Sequence, residues 1–405
     1  MAVGSGYTGE IFPVAGIKLA AAKSGIRYRD CFDLVLIELA ENSNVAGVFT
    51  QNLFCAAPVT VAKNHIRSEL PRYFLINTGN ANAGTGHAGE LNALRSCDAI
   101  AGISDVLVEQ VLPFSTGVIG EQLPVEKIIA IAPELFVNLA SDKWEDAAWG
   151  ILTTDTRPKL VSTQVELKGK KVTLTGIAKG SGMIKPNMAT MLAFVFTDAV
   201  INEELLNQLL KQFADKSFNR ITVDGDMSTN DCCMLVATGK ANISIDKLDD
   251  SDCAKFMKEL QQVFIELSTQ LIKDGEGATK FITVNIESGK TSEECLQVAY
   301  AIAESMLVKT AIFASDPNWG RILAAIGCAG IEDLDIHTVT IDIGDVRIVS
   351  NGRVDLDYTE EKGQSQMNAD EITLTIGLQR GKFKESIWTT DLSHDYISIN
   401  ADYRT

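Results

Sequence analysis

The 405-residue sequence predicts a mixed α/β fold, because short β-like runs alternate with helical stretches along the chain. Two observations support this class. Apolar and β-branched residues cluster in short segments between turn-forming residues, and other segments have apolar residues at helical spacing. Nine segments are predicted as strands: 45–50, 58–61, 73–77, 161–167, 171–177, 191–197, 281–286, 338–343 and 371–378.

Two helices are predicted with defined limits. The clearer one covers 252–272, where apolar residues recur at steps of three and four and form one stripe. The second begins at Thr291, because Thr291 followed three residues later by Glu294 has the form of a capping box, and it is predicted to continue through Met306. A chain of this length has room for two or three domain-sized units and a substantial core.

Composition excludes several classes of protein. Hydrophobic residues make up 46% of the chain and charged residues 22%, which is typical of a globular protein and not of a disordered or collagenous one. The net charge of −17 argues against binding to nucleic acid or to an anionic membrane. The sequence shows no secretory signal and no stretch of roughly 18 apolar residues. The eight cysteines form no C-x-x-C pair, so we expect reduced thiols in a cytoplasmic protein.

Familiar catalytic and cofactor motifs are missing or lack their context. The four histidines lie far apart, and no H-E-x-x-H, G-x-S-x-G or zinc-like spacing occurs. Residues 4–9 match G-x-G-x-x-G, but only three residues precede them, so no strand can lead into a dinucleotide-binding loop. Segment 224–231 is rich in oxygen ligands but lacks the Gly and Glu of a calcium loop, and it is predicted as a polar turn. No metal site is predicted.

The segment 179–198 contains the strongest candidate for chemistry, Thr190, which opens an apolar strand after a glycine-rich loop. Thr190 fits the start of a strand simply as a β-branched residue. A chemical interpretation is also open: a strained peptide between Ala189 and Thr190 would suit an N-to-O acyl shift and hydrolysis, which would free an N-terminal threonine. Its α-amine, with an unperturbed pKa of about 8, can act as base for its own hydroxyl, so such an enzyme needs no histidine.

Acyl transfer also needs hydrogen-bond donors aimed at the oxygen that becomes negative. Segment 113–120 offers a hydroxyl at Thr116 and a glycine backbone N–H at Gly117. Taken alone, this sequence is more typical of an ordinary turn, so its role depends on the rest of the pattern.

Nine short motifs occur in order along the chain: NTGNAN at 77–82, STGVIG at 115–120, TTDT at 153–156, KGSG at 179–182, PNMATML at 186–192, TVDGD at 222–226, STND at 228–231, DGEGA at 274–278 and DPNWGR at 316–321. With these motifs the chain resembles, essentially end to end, the ornithine acetyltransferase (glutamate N-acetyltransferase) family of arginine biosynthesis. Members of that family are self-cleaving threonine enzymes.

The resemblance implies a layered α/β sandwich of the ornithine acetyltransferase and self-cleaving aminopeptidase type. Two fragments would share one core: an alpha chain of residues 1–189, and a beta chain of residues 190–405 that includes a smaller α/β subdomain near 285–380. The implied assembly is a heterotetramer of two alpha and two beta chains. No cofactor, nucleic acid or membrane partner is expected.

The resemblance also implies a role for each matching residue. Cleavage between Ala189 and Thr190 would expose Thr190 as the nucleophile, and Thr116 and Gly117 would stabilise the oxyanion. The substrate would contact Thr153, Lys179, Thr190, Glu276, Asn400 and Thr405. The implied reaction is ping-pong: Thr190 takes the acetyl group from N-acetylornithine and passes it to glutamate.

Three questions stay open at this level. Acetyl-CoA serves as a second acetyl donor in part of the family, and no residue here decides that activity. A related self-cleaving amidohydrolase or aminopeptidase would pass the acyl group to water, and an uncleaved binding or scaffold protein on the same fold would not transfer it at all. Glu276 suits the ornithine ammonium, but its carboxylate would repel the glutamate side chain unless water, protonation or a shifted pose intervenes.

Overall fold

The computed structural model describes residues 2–27, 30–185 and 191–402. Its strands in chain order are β1 Ile17–Ala22, β2 Leu34–Leu39, β3 Asn44–Phe49, β4 Tyr73–Asn80, β5 Val111–Val118, β6 Lys159–Leu167, β7 Lys170–Lys179, β8 Leu192–Thr197, β9 Ile221–Thr222, β10 Cys232–Ala237, β11 Phe281–Gly289, β12 Thr340–Ile343, β13 Val346–Ser350, β14 Arg353–Val354, β15 Glu371–Gly377 and β16 Phe383–Thr390. Its helices are α1 Ala57–Ser68, α2 Gly86–Ser104, α3 Val125–Val137, α4 Trp144–Gly150, α5 Glu203–Asp215, α6 Asp250–Lys273, α7 Ser292–Ala303, α8 Met306–Phe313, α9 Trp319–Gly327, α10 Glu360–Met367 and α11 His394–Ala401.

Two mixed sheets stack face to face and enclose the central core. The first has the strand order β1-β2-β4-β5, and the second has the order β3-β10-β8-β7-β6. Phenylalanines from both sheets meet between them: the ring centroid of Phe194 lies 5.1 Å from that of Phe114 and 5.9 Å from that of Phe74. These aromatic side chains bury large apolar areas, and the edge-on pair adds a directional contact.

Helices cover the outer faces of both sheets. Buried residues of α2 and α3 pack on the first sheet, and those of α5 and α6 pack on the second. The apolar stripe predicted for 252–272 lies on α6 and is buried. The result is an α/β/β/α sandwich, which confirms the layered α/β class.

A third sheet, with the order β14-β13-β12-β15-β11-β16-β9, has its own hydrophobic core. Buried residues of this core lie between 282 and 387, and α7 and α9 contribute to it. Within the described ranges no single helix is long and apolar enough to cross a membrane. The pair α7 and α8 meets that criterion only when taken together, and it is bent by 59°.

Three predicted elements are wrong in detail. Segment 113–120 is not a turn, because residues 113–118 lie in strand β5. Segment 58–61 is not a strand, because it lies in α1, with Pro58 in the first turn, where a proline costs no hydrogen bond. The helix that starts at Thr291 ends at Ala303, and Ser305 caps the separate helix α8. Its predicted start is correct, since the Thr291 hydroxyl accepts the Glu294 N–H at 3.1 Å.

Candidate active site

A cavity of about 300 Å³ opens where both stacked sheets, α11 and the turn after α6 come together. Six of the residues expected to act on substrate line it: Thr116, Gly117, Thr153, Lys179, Glu276 and Asn400. They come from segments far apart in sequence, so the fold alone brings them together.

The remaining predicted positions, Ala189, Thr190 and Thr405, lie outside the described residues. The described residues continue on both sides of the predicted cleavage position. Strand β7 ends at Lys179 in the cavity wall, and β8 pairs with it antiparallel, with Lys179 opposite Leu192. The segment that joins these two neighbouring strands therefore contains the 189–190 bond.

Lys179 is the cation of the site, and only 4% of its surface is exposed. Its Nζ donates to Thr116 Oγ1 at 3.0 Å. Burial lowers the pKa of Lys179, and the nearby Asp155 carboxylate opposes that shift. Because the Thr116 hydroxyl accepts from the ammonium, its own hydrogen is left to donate in another direction.

Gly117 occupies a position that no other residue fits. Its φ is +135°, and a Cβ atom there would lie 2.2 Å from the backbone carbon of Gly79 and 2.5 Å from the nitrogen of Asn80. β5 is an edge strand of its sheet, and alternate backbone N–H groups of such a strand face away from the sheet. Gly117 and Thr116, which are neighbours in β5, both line the cavity wall.

Glu276 is the anion of the site and is held by two donors. Thr154 Oγ1 donates to its Oε1 at 2.6 Å, and Asn400 Nδ2 donates to its Oε2 at 2.8 Å. The absence of a side chain at Gly182 makes room for this carboxylate, because a Cβ atom there would lie 2.3 Å from Glu276 Oε2. The loop after β7 therefore sets the position of Glu276.

A buried ion cluster supports this wall from behind. Lys159 Nζ lies 2.5 Å from Asp155 Oδ1 and 2.5 Å from Asp274 Oδ2, and all three side chains are fully buried. Asp155 Oδ1 also accepts the Gly180 N–H at 2.8 Å, next to Lys179 in the chain. Burial raises the pKa of Asp155, but Lys159 and Lys179 outweigh it and hold that pKa well below its usual range.

Several cavity residues were not predicted as site residues. Thr154 and Ser181 lie one or two positions from predicted residues and belong to the TTDT and KGSG motifs. Asn230, from the STND motif, donates from Nδ2 to the carbonyl of Ala81 at 2.6 Å and to that of Ser115 at 2.9 Å. The motifs therefore contain these residues, but the sequence of a motif does not show which of its polar side chains line the cavity.

Segment 224–231 and His65, which the sequence does not assign to a site, have structural roles. Asp224, in the predicted polar turn, accepts the N–H groups of Met183 and Ile184 at 2.6 and 2.9 Å, so it shapes the loop after β7. The described residues contain no group of three or more ligands that could hold a metal ion. The buried His65 lies away from the cavity, and its Nδ1 is 2.8 Å from the carbonyl oxygen of Val111.

The arrangement combines one buried cation, one buried anion, a hydroxyl and a glycine N–H around a small cavity. This set can bind a zwitterionic amino acid and stabilise an oxyanion. Residues 18–405 match the ArgJ family model. The chain belongs to the ArgJ family.

Individual members agree with the family match. The chain is 53% identical over 407 residues to the arginine biosynthesis bifunctional protein ArgJ of Psychrobacter arcticus, and 51% identical over 406 residues to that of Pseudomonas fluorescens. Both alignments cover 100% of each chain. The crystal structure of the arginine biosynthesis bifunctional protein ArgJ from Bacillus halodurans matches with 39% identity and a TM-score of 0.50, and it covers 53% of this chain and 100% of that chain.

Proposed function

We propose that this protein is a self-processing acetyltransferase that moves the acetyl group of N-acetylornithine to glutamate, in the cytoplasm and without a cofactor. The single observation that carries the proposal is the cavity in which Lys179, Thr116 and Gly117 face Glu276 and Asn400. Full-length relatives named as bifunctional proteins of arginine biosynthesis support the same activity.

The first step is cleavage of the chain. The Thr190 hydroxyl oxygen attacks the Ala189 carbonyl carbon, the peptide C–N bond breaks, and the hydroxyl proton passes to the nitrogen. Water then hydrolyses the resulting ester, which leaves a carboxylate on Ala189 and a free hydroxyl and α-amine on Thr190. The location of the bond between two paired strands supports this step, because those strands stay hydrogen-bonded after the bond is cut.

In the transfer step the same hydroxyl attacks the acetyl carbon of N-acetylornithine while the α-amine takes its proton. The amide C–N bond breaks, ornithine leaves with that proton, and an acetyl ester remains on Thr190. The amine of glutamate attacks the ester, and its proton returns to the threonine oxygen as N-acetylglutamate leaves. No histidine is needed at any stage.

The oxyanion of each step would lie between the Thr116 hydroxyl and the Gly117 N–H. Lys179 strengthens the first donor, because it supplies a charged hydrogen bond to the same oxygen at 3.0 Å. The charge of Lys179 also suits a substrate carboxylate, and that of Glu276 suits the side-chain ammonium of ornithine. The distribution of charge in the cavity thus matches the donor substrate.

We also propose an assembly of two alpha chains, residues 1–189, and two beta chains, residues 190–405. The beta chain would have 216 of the 405 residues, or 53%, which equals the share of this chain that the complete Bacillus halodurans chain covers. Thr405 would complete the substrate site, and acetyl-CoA would serve as a second donor to Thr190. Native mass spectrometry of the purified protein tests the assembly directly.

Intact mass and N-terminal sequencing test the cleavage, and a coupled assay tests the transfer. We expect two fragments, the second beginning at Thr190, and acetylated glutamate formed from N-acetylornithine. Thr190→Ala should stay full length and inactive. Thr197→Ala, which changes a buried threonine at the far end of β8, should be cleaved normally. Release of free acetate at a rate that glutamate does not change would identify a hydrolase instead, and normal cleavage of Thr190→Ala would exclude this nucleophile.

A further inference from the structure

Asn230 joins two strands of the first sheet at the wall of the cavity. The residue lies just before β10 of the second sheet, lines the cavity, and has only 6% of its surface exposed. Its Nδ2 donates to the Ala81 carbonyl at 2.6 Å and to the Ser115 carbonyl at 2.9 Å. Ser115 belongs to β5, and Ala81 directly follows β4. One side chain from outside the first sheet therefore bridges the ends of two of its strands.

The partners of the Asn230 carboxamide fix its orientation. Thr229 Oγ1 donates to Asn230 Oδ1 at 2.6 Å, so the amide oxygen faces a donor while Nδ2 faces two acceptors. The backbone around it is also held, because the Asn230 N–H donates to Ser228 Oγ at 3.0 Å and the Thr229 carbonyl accepts the Ala56 N–H at 3.0 Å. Backbone carbonyls use both Nδ2 hydrogens, so this group donates to the protein and not to a substrate.

The Ser115 carbonyl lies on the open edge of the first sheet. β5 is an edge strand, and the Val118 carbonyl accepts the Ala81 N–H at 2.9 Å, so the backbone groups of Val118 point toward β4. Alternate residues of a strand direct their backbone groups to opposite sides, and those of Ser115 and Gly117 therefore face away from β4. Asn230 binds the carbonyl on this edge, two residues before the Gly117 N–H.

Thr116 lies between these two residues and depends on both. The Ser115 carbonyl and the Thr116 nitrogen belong to one planar peptide group, so a donor that holds the carbonyl also fixes the plane from which the Thr116 side chain projects. The Thr116 hydroxyl in turn meets Lys179 Nζ at 3.0 Å. At Gly117 the two strands are in close contact, since a Cβ atom there would lie 2.2 Å from the backbone carbon of Gly79. A displacement of β5 at Ser115 would therefore move both Thr116 and Gly117.

We propose that Asn230 is the positioning residue of the oxyanion donors: by holding the Ser115 and Ala81 carbonyls, it sets where the Thr116 hydroxyl and the Gly117 N–H lie in the cavity. This inference rests on the proposed function and adds a residue that acts through Thr116 and Gly117. Donors to an oxyanion are effective when they are held in place before the reaction, and a misplacement of about 1 Å can lower a rate by about 10²-fold.

The experiment compares Asn230→Ala with wild type and with Asn82→Ala. Asn82 is a matched control, because it is completely buried and has the same kinds of partner: its Nδ2 donates to the Gly89 carbonyl at 2.8 Å, and its Oδ1 accepts from Thr85 Oγ1 at 2.9 Å. Asn82 is not among the described residues that line the cavity. Its φ of 48° also disfavours alanine, so the control includes a cost in stability that Asn230→Ala lacks.

The loss in Asn230→Ala should appear in kcat and not in KM. Per mole of the 190–405 fragment, we expect kcat to fall by about 10-fold to 100-fold, while the KM for N-acetylornithine stays within about threefold of wild type. Asn82→Ala should keep the kcat of wild type. In a Thr116→Ala background, the loss caused by Asn230→Ala should be smaller by about threefold or more, because one of the two donors that Asn230 positions is already missing. A merely structural role would produce neither this split nor this coupling.

Three results would overturn the inference. One is a kcat of Asn230→Ala within about threefold of wild type, another is an equal loss in Asn230→Ala and Asn82→Ala, and the third is a double variant whose loss equals the product of the two single losses. Asn230→Leu, which keeps the side-chain volume, takes the place of Asn230→Ala if the latter does not fold. Wild type without transfer activity would reject the proposed function and this inference with it, whereas an active wild type beside an equally active Asn230→Ala rejects the inference alone.

Discussion

Thr116→Ala tests the proposed oxyanion site most directly. The substitution removes one hydroxyl donor from the cavity wall and leaves the backbone and the neighbouring Gly117 N–H in place. Loss of one donor to an oxyanion lowers kcat by about 10²-fold to 10³-fold, or about 3–4 kcal/mol of transition-state stabilisation. The substitution also removes a hydrogen-bond acceptor from the buried Lys179 ammonium, whose Nζ donates to Thr116 Oγ1 at 3.0 Å in the wild type. Leaving a buried charge with one partner fewer costs additional free energy.

The assay follows acetylated glutamate per mole of the 190–405 fragment, so that incomplete cleavage does not enter the rate. Thr116→Ser is the matched control, because it restores a hydroxyl on the same carbon and should recover most of the lost kcat. KM for N-acetylornithine should change less than kcat if the donor acts mainly in the transition state. A Thr116→Ala rate within threefold of wild type would refute the assignment.

Three further outcomes are expected. Lys159→Met should lower the free energy of unfolding by about 3–5 kcal/mol in urea titrations, since two buried carboxylates lose their cation. This difference in the free energy of unfolding between wild type and Lys159→Met should shrink as the pH falls from about 5 to about 3. The lowered pKa of Asp155 stabilises the fold only above the unfolded-state pKa of about 4, and that stability is lost as the pH falls. Gly182→Ala should raise the KM for N-acetylornithine about tenfold by displacing Glu276, whereas Gly102→Ala, with open space at its Cβ position, should not.

Local patterns predicted part of the fold: half of the sixteen strands and two of the eleven helices in the described residues. Eight of the nine strand segments coincide with observed strands to within a few residues, because alternating burial and turn residues are properties of short segments. Segment 58–61 failed for a physical reason: valine and threonine favour strands, but the segment lies in helix α1, which buries Val59 and Val61 and leaves Thr60 exposed. β10 was not predicted, since its two cysteines, methionine and alanine have little β-branched character.

Local sequence patterns predicted the site less well than the fold. Spacing alone left Thr116 as part of a turn and Thr190 as the first residue of a strand. The resemblance supplied roles, but the contacts between segments depend on tertiary packing. The position of Glu276, for example, depends on the missing side chain of Gly182, more than 90 residues earlier in the chain.

The topology explains how a cut in the middle of the chain is compatible with a stable enzyme. β7 lies before the 189–190 bond and β8 after it, and six residue pairs from Leu174 opposite Thr197 to Lys179 opposite Leu192 hold the two strands together. The phenylalanine cluster also joins both parts, since Phe74 and Phe114 precede the bond and Phe194 follows it. Separating the fragments would expose this shared core to water, so the proposed cleavage would leave the packing that positions Lys179 in place.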